Sequence, residues 1–282
     1  MQNPGNNRGQ IVGEHMTIET SNLKRRAALA AGMAAAASPL AVPLASPAQA
    51  AGTMLFDVKR ITIPIVGSDH LFPVRRIYCI GRNYAAHAIE RGSDPTREPP
   101  FFFQKPTDAI QNVAPGTIAD HPYPSLTKNY HHEIELVAVL HKGGRNVPLE
   151  KALDLVYGYT IGLDMTRRDL QNAMADQKKP WEIGKSFDHA AVLGPIHPVA
   201  KVGHFTKGRI SLAVNGKIRQ NSDLAMMMWS VAEQIVQLSA AFELMPGDII
   251  YSGTPENVGP VVAGDLMEGH IDGLPELKVR VV

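Results

Sequence analysis

His131-His132-Glu133-Ile134-Glu135-Leu136-Val137-Ala138-Val139-Leu140 sets two acids, spaced by two, at the start of a continuous apolar run. The run, closed by Lys142-Gly143-Gly144-Arg145, reads as a strand over residues 133–141 and its turn. Side chains at i and i+2 of a strand face one side, so the carboxylates of Glu133 and Glu135 converge. Two converging carboxylates repel and resist desolvation, and a shared cation removes both penalties. For this pair alone, a solvated strand face is the alternative. A third acid shifts the balance: Asp164 closes the apolar run Tyr157-Gly158-Tyr159-Thr160-Ile161-Gly162-Leu163, a second strand whose end can deliver a carboxylate into the same pocket. Three oxygen ligands suit Mg2+ or Mn2+, with Ca2+ also possible. Adjacent strand residues face opposite sides, so at most one of His131 and His132 can reach such a site, and a supporting role behind the ligands is expected.

Outward from this core, residues 55–65 and 76–80 carry branched apolar positions of strand type. Residues 83–91 have helical composition, with Asn83 as N-cap and Gly92 as stop. A short aromatic strand is expected over residues 101–103, and helices over residues 149–155, 166–174 and 224–244. Asn215-Gly216 between residues 210–214 and 217–219 predicts a tight hairpin, because Asn-Gly supplies the positive φ angles of the turn. The sum is a β-rich α+β fold with few long helices.

The 282 residues, 44% hydrophobic and 20% charged, are enough for one sizeable core with an appendage. Twenty-eight basic side chains nearly cancel 27 acidic ones, so no broad field favours nucleic acid or an anionic membrane surface, and a small-molecule partner is expected. The single cysteine, Cys79, excludes an internal disulfide and cysteine-rich metal sites. Residues 22–50 run from Lys24-Arg25-Arg26 through a mildly apolar, alanine-rich stretch to Ala48-Gln49-Ala50. That is the layout of an export signal of the twin-arginine type, which predicts a periplasmic protein; if the signal is unused, the location is cytoplasmic. Its glycine and prolines suit a cleaved signal better than a stable membrane span. The expected organisation is an N-terminal extension over residues 1–50, a short strand region over 51–75 and a catalytic domain over 76–282.

Three further constellations carry chemistry. In Gly81-Arg82-Asn83-Tyr84-Ala85-Ala86-His87-Ala88-Ile89-Glu90, His87 and Glu90 share a helix face at i and i+3, where a carboxylate can orient an imidazole as general base; an exposed salt-bridge pair is the alternative. Lys185, in Trp181-Glu182-Ile183-Gly184-Lys185-Ser186-Phe187-Asp188, could hold a carboxylate or a developing enolate, or be an ordinary solvated lysine. The turn Gly253-Thr254-Pro255 offers N–H groups and a hydroxyl to a substrate carboxylate.

Taken together, these residues resemble the fumarylacetoacetate hydrolase family. The resemblance spans residues 76–282 and rests on Gly81, Asn83, Tyr84, His87 and Glu90; on Glu133 and Glu135; on Asp164 with Arg168-Asp169-Leu170-Gln171; on residues 184–188; and on residues 246–255. Glu256-Asn257-Val258-Gly259 departs from the commoner run of the family, and an export signal is unusual for central aromatic catabolism. The resemblance implies a mixed-sheet fold of β-roll or sandwich type and a homodimer. It also implies metal ligands Glu133, Glu135 and Asp164, a water-activating dyad of His87 and Glu90, and Lys185 on the substrate. Arg82, Asn83, Tyr84, Arg168, Gln171 and Thr254 form the expected substrate-binding set.

The implied activity is metal-dependent hydrolysis of the C–C bond of a 1,3-diketo acid. The stretch 165–171, with residues 180–182 and 131–132, looks most like members that cleave fumarylpyruvate to fumarate and pyruvate. Oxaloacetate decarboxylation or isomerisation of a dienoate would use the same enolate. A non-catalytic, metal-dependent dicarboxylate-binding protein is the alternative of a different class.

Overall fold

In the computed structural model, residues 53–92 and 98–282 are described. The expected export signal and the boundary near Ala51 lie outside them. Chain contacts divide at Leu55, of whose unit only residues 53–55 are described; Phe56–Val282 forms one compact unit. Among the described residues no helix is long and apolar enough to cross a membrane.

The apolar runs become the centre of an eight-stranded mixed sheet. Its path runs Phe102–Lys105, Arg76–Ile80, Asp248–Tyr251, Ile134–Leu140, Val156–Asp164, Ala191–Leu193, Ile110–Asn112, with His197–Pro198 paired off it. Every residue of Ile134–Leu140 is buried, which is why the run is continuously apolar rather than alternating. Ile134–Leu140 pairs antiparallel with Val156–Asp164, setting Glu135 opposite Gly162 and Ile134 opposite Leu163. A five-stranded sheet, ordered Lys217–Asp223, Arg209–Val214, Leu266–Ile271, Leu277–Val281, Ile118–His121, packs over the first. At the contact, a Cβ on Gly269 would come within 2.7 Å of Ile134 Cδ1. The hairpin forms as expected, with Asn215 and Gly216 at φ 52 and 74. The fold is the β-rich α+β arrangement expected, and the longest helix among the described residues, Val231–Ala241, has 11 residues.

Five expectations are corrected. The strand expected over residues 133–141 is Ile134–Leu140, with Glu133 just ahead of it; the preceding Tyr130–His132 belongs to a separate three-stranded sheet with Thr166–Arg167 and Gly259–Val261, so the chain changes sheets at Glu133. Within residues 55–65 only Thr62–Pro64 is a strand, paired with Leu71–Pro73. The first helix is Ala85–Glu90, and Asn83 does not cap it. Its side chain is taken by the Trp229 carbonyl and N–H (2.9 and 2.8 Å) and the Ser252 carbonyl (2.8 Å). The helix expected over residues 166–174 starts later, as Arg168–Asp176, because Thr166–Arg167 is spent on the small sheet. The helix expected over residues 224–244 is a short turn, Leu224–Met226, and then Val231–Ala241. Ser230 restarts it by a capping box with Glu233, each satisfying the other's backbone N–H.

Candidate metal centre and active site

The change of sheets at Glu133 brings three acids to one point. The Asp164 N–H donates to the Glu133 carbonyl at 2.9 Å, placing these residues opposite one another, while Glu135 follows two positions along. One carboxylate oxygen from each of Glu133, Glu135 and Asp164 lies within 4.8 Å of the other two, and all three residues are buried. That spread is close to the about 4.2 Å separating opposite ligands held at about 2.1 Å from a small divalent ion.

Cations surround two of the three acids. Lys185 Nζ lies 2.6 Å from Glu133 Oε2 and 2.8 Å from Asp164 Oδ2. Arg168 donates to Glu133 Oε1 and to Gln171 Oε1 at 2.5 Å. Lys105, buried at the end of the strand Phe102–Lys105, lies 2.8 Å from Asp164 Oδ1 and donates to the Met165 carbonyl at 3.2 Å and to the Lys185 carbonyl. Burial opposes ionisation of Glu133, but Lys185 and Arg168 outweigh it and hold the carboxyl below the usual carboxylate range. Burial likewise disfavours the Lys185 ammonium, yet Asp164 and Glu133 raise its pKa.

Glu135 has no such partner among the described residues. It accepts one N–H, from Gly253 at 2.7 Å, and burial, reinforced by Asp164 and Glu133, pushes its carboxyl well above the carboxylate range. A buried carboxyl without a cation partner among the described residues, held beside two other acids, is what a hard divalent cation would correct, and the all-oxygen donor set suits Mg2+, Mn2+ or Ca2+. The residues fit the ion.

The acids lie in a cavity that is also lined by Arg82, His87, Arg91, Arg168, Gln171, Lys185 and Thr254, with Phe101, Phe103 and Trp181 as its aromatic residues. His87 Nδ1 lies 3.0 Å from Glu90 Oε2, which fixes the Nδ1–H tautomer and leaves Nε2 as the basic nitrogen. Glu90 is steadied by the Asn257 N–H, 3.2 Å from both carboxylate oxygens. Burial opposes its charge, but His87 and this N–H outweigh burial and lower its pKa.

Two local devices hold the cavity's floor. Gly253 has φ +96, and a Cβ there would stand 2.6 Å from the Asn83 Cβ, so only glycine lets this N–H reach Glu135. A Cβ on Gly184 would come within 2.7 Å of the Gln171 backbone, so glycine lets Glu182–Lys185 lie against Arg168–Asp176 and point Lys185 inward.

Of the expected substrate-binding set, Arg82, Arg168, Gln171 and Thr254 line the cavity; Asn83 and Tyr84 do not. Asn83 is spent on backbone groups, and Tyr84 is fully buried with its hydroxyl unpartnered. The Thr254 hydroxyl donates to the Ile134 carbonyl and accepts from Gln220, which leaves it little for a ligand. Neither His131 nor His132 reaches the cavity. His131 Nδ1 accepts from Arg168 Nε at 3.3 Å, and burial, aided by Arg168, lowers its pKa to about 3, keeping it a neutral acceptor. His132 is held by Gln220 at 2.9 Å. Sequence reasoning missed Lys105, Arg91 and the cavity's aromatic residues. A lysine closing the run Phe101-Phe102-Phe103-Gln104 is the one local signal for a buried cation.

Residues 76–282 match the family described as fumarylacetoacetate (FAA) hydrolase, C-terminal. The chain is 43% identical over 192 residues, 68% of its length and 97% of the other's, to a fumarylpyruvate hydrolase of a Ralstonia species. It is 37% identical to a mitochondrial oxaloacetate decarboxylase of Dictyostelium discoideum, over 71% of this chain and 90% of that protein. The crystal structure of a fumarylpyruvate hydrolase from Pseudomonas aeruginosa in complex with Mn2+ and pyruvate resembles it at TM-score 0.80 and 56% identity, over 82% of this chain and 99% of that one.

Proposed function

Since the chain belongs to the fumarylacetoacetate hydrolase family, we propose that it is a divalent-metal hydrolase that cleaves the C–C bond of an acylpyruvate, with fumarylpyruvate giving fumarate and pyruvate. The observation that carries this reading is that one cavity holds both Glu133, Glu135, Asp164 and Lys185 and a His87 backed by Glu90. When bound at the three acids, the cation supplies Lewis-acid polarisation of the 2-oxo acid end of the substrate.

The chain's own groups do the rest. His87 Nε2 takes a proton from water, and the hydroxide adds to the carbonyl farther from the carboxylate. The adduct collapses by breaking the C–C bond to the methylene carbon. Fumarate leaves, and the electron pair remains on pyruvate as an enolate, which takes up a proton at that carbon. Lys185 spends two N–H groups on Glu133 and Asp164, leaving a third for the enolate oxygen. Phe101, Phe103 and Trp181 exclude bulk water from the acyl chain.

Mg2+ or Mn2+ as the working ion and a homodimer as the working assembly belong to this proposal, supported by the oxygen donor set and the family resemblance respectively. Export through residues 22–50 is proposed on the sequence of that segment alone. A second reading, decarboxylation of oxaloacetate through the same enolate, draws support from the Dictyostelium relative. Product analysis separates the two: the hydrolase releases fumarate and pyruvate in equal amounts from fumarylpyruvate, whereas efficient CO2 release from oxaloacetate without acylpyruvate cleavage would transfer the assignment.

A further inference from the structure

The cavity carries more cationic charge than its carboxylates use. Lys185 and Arg168 are engaged with Glu133 and Asp164. Arg82 has no carboxylate partner among the described residues; its guanidinium sits 5.6 Å and 5.9 Å from the ring centres of Phe101 and Trp181. Arg91, the residue that ends the helix Ala85–Glu90, is only partly exposed and lines the same cavity. It donates to the neutral Asn172 Oδ1 at 2.6 Å, and no carboxylate pairs with it among the described residues. Burial, and then the nearby Arg168, make its charge unfavourable. A half-buried guanidinium held by a neutral amide, in one cavity with a second guanidinium that has no carboxylate partner among the described residues, is suited to receive an anion.

We propose that Arg91, together with Arg82, is an anion subsite that receives the distal carboxylate of the substrate and selects acylpyruvates ending in a second carboxylate over those ending in an alkyl group. The inference rests on the acylpyruvate reading and deepens it. With one end of the dianion at Lys185 and the three acids, the other end meets the two guanidiniums. Phe101, Phe103 and Trp181 line the same cavity and give a flat conjugated chain a flat surface. Asn172 follows Gln171 on the helix Arg168–Asp176, so Arg91 is fixed to the element that also carries Arg168.

The test compares kcat/KM for fumarylpyruvate and acetylpyruvate on the Mn2+-loaded full chain, for wild type, Arg91→Met, Arg91→Lys and Arg82→Met. In Arg91→Met the fumarylpyruvate-to-acetylpyruvate ratio falls about ten- to hundredfold, the scale of one lost charge-assisted hydrogen bond, chiefly through KM. Arg91→Lys falls between, because it keeps the charge and loses the fork, and Arg82→Met lowers the ratio in the same direction. An unchanged ratio, or equal losses on both substrates, overturns the proposal. Calorimetric binding of fumarate to the Mn2+-loaded protein is read independently of turnover: weakening by a similar factor in Arg91→Met supports the subsite, and unaltered or absent wild-type binding overturns it. Wild-type protein that cleaves neither acylpyruvate yet binds fumarate through Arg91 removes the hydrolase reading and leaves the subsite standing.

Discussion

The Asp164 N–H donates to the Glu133 carbonyl at 2.9 Å, so two of the three clustered acids face one another across a single antiparallel ladder. Their backbones are locked by the same register that pairs Ile134 with Leu163. The carboxylates are therefore held together by the sheet before any ion arrives, and the electrostatic cost of that arrangement falls on Glu135, the member without a cation. A cluster assembled this way is preorganised for an ion and strained without one.

That strain has a pH signature. The folded-state pKa of Glu135 is raised, so the stability it allows is full below the ordinary carboxylate value and drains away as pH rises through the raised value. Glu133 runs the other way: its lowered pKa gives stability that is present above the ordinary value and lost as pH falls. Chelator-treated protein is therefore expected to melt lower at pH 8 than at pH 6. Glu135→Gln should flatten this slope and raise the chelated Tm at pH 8, by about 2–4 °C per kcal/mol of relieved repulsion. With Mn2+ added, the order reverses, because only wild type gains the full binding energy. Thermal scans at the two pH values, with and without Mn2+, check all three statements.

His87 and Glu90 separate metal binding from chemistry. His87→Ala is expected to lower kcat about 10²- to 10⁴-fold, the range for a lost general base, while Mn2+ titration gives an affinity near that of wild type. Glu90→Gln should cost less, because the amide oxygen can still accept the Nδ1–H and only the charge is lost. Steady-state kinetics beside calorimetric Mn2+ titration on each variant distinguishes this from a shared structural defect, which would weaken both quantities together.

Lys105 is buried beside Asp164 and ties down the Met165 and Lys185 carbonyls. Lys105→Met removes one partner of a buried ion pair, and a loss of about 3–5 kcal/mol is expected. Urea unfolding of the metal-free protein measures it. A loss within about 0.5 kcal/mol, the size of an ordinary surface change, would show that the ion pair is not holding the site.

Gly253→Ala puts a Cβ 2.6 Å from that of Asn83 at a φ of +96. The turn must shift, and with it the N–H that Glu135 accepts. The expected outcome is a loss of about 1–3 kcal/mol together with weaker Mn2+ binding, read by thermal scans and calorimetry. Normal metal affinity in a destabilised protein would assign the glycine to folding alone.

The acids were legible in the sequence because period-two spacing and a strand-ending aspartate are local signals. Their meeting depends on register, and no pattern in residues 133–164 states that Asp164 pairs with Glu133 rather than with a neighbour. Asn83 was legible as important and misread in role: it sits in a motif with His87 but spends its amide on Trp229 and Ser252, over 140 residues away in sequence. The restart at Ser230 was visible in Ser230-Val231-Ala232-Glu233, a capping-box spacing that the apolar periodicity on either side obscures. Arg91 carried no motif, and Lys105 only its place after the aromatic run of residues 101–103. Each is a basic residue at the end of a short element, and only packing sets Lys105 against Asp164 and Arg91 on the cavity.

The measurement closest to the central claim is the decay of fumarylpyruvate enol absorbance with chelator-stripped protein, before and after Mn2+ or Mg2+, with fumarate and pyruvate quantified at the end. Decay restored by metal, equal yields of the two products, and no decay in Glu135→Gln at the same metal concentration are expected. Decay that persists undiminished in stripped protein, or in Glu135→Gln, would contradict a metal-dependent hydrolase built on these three acids.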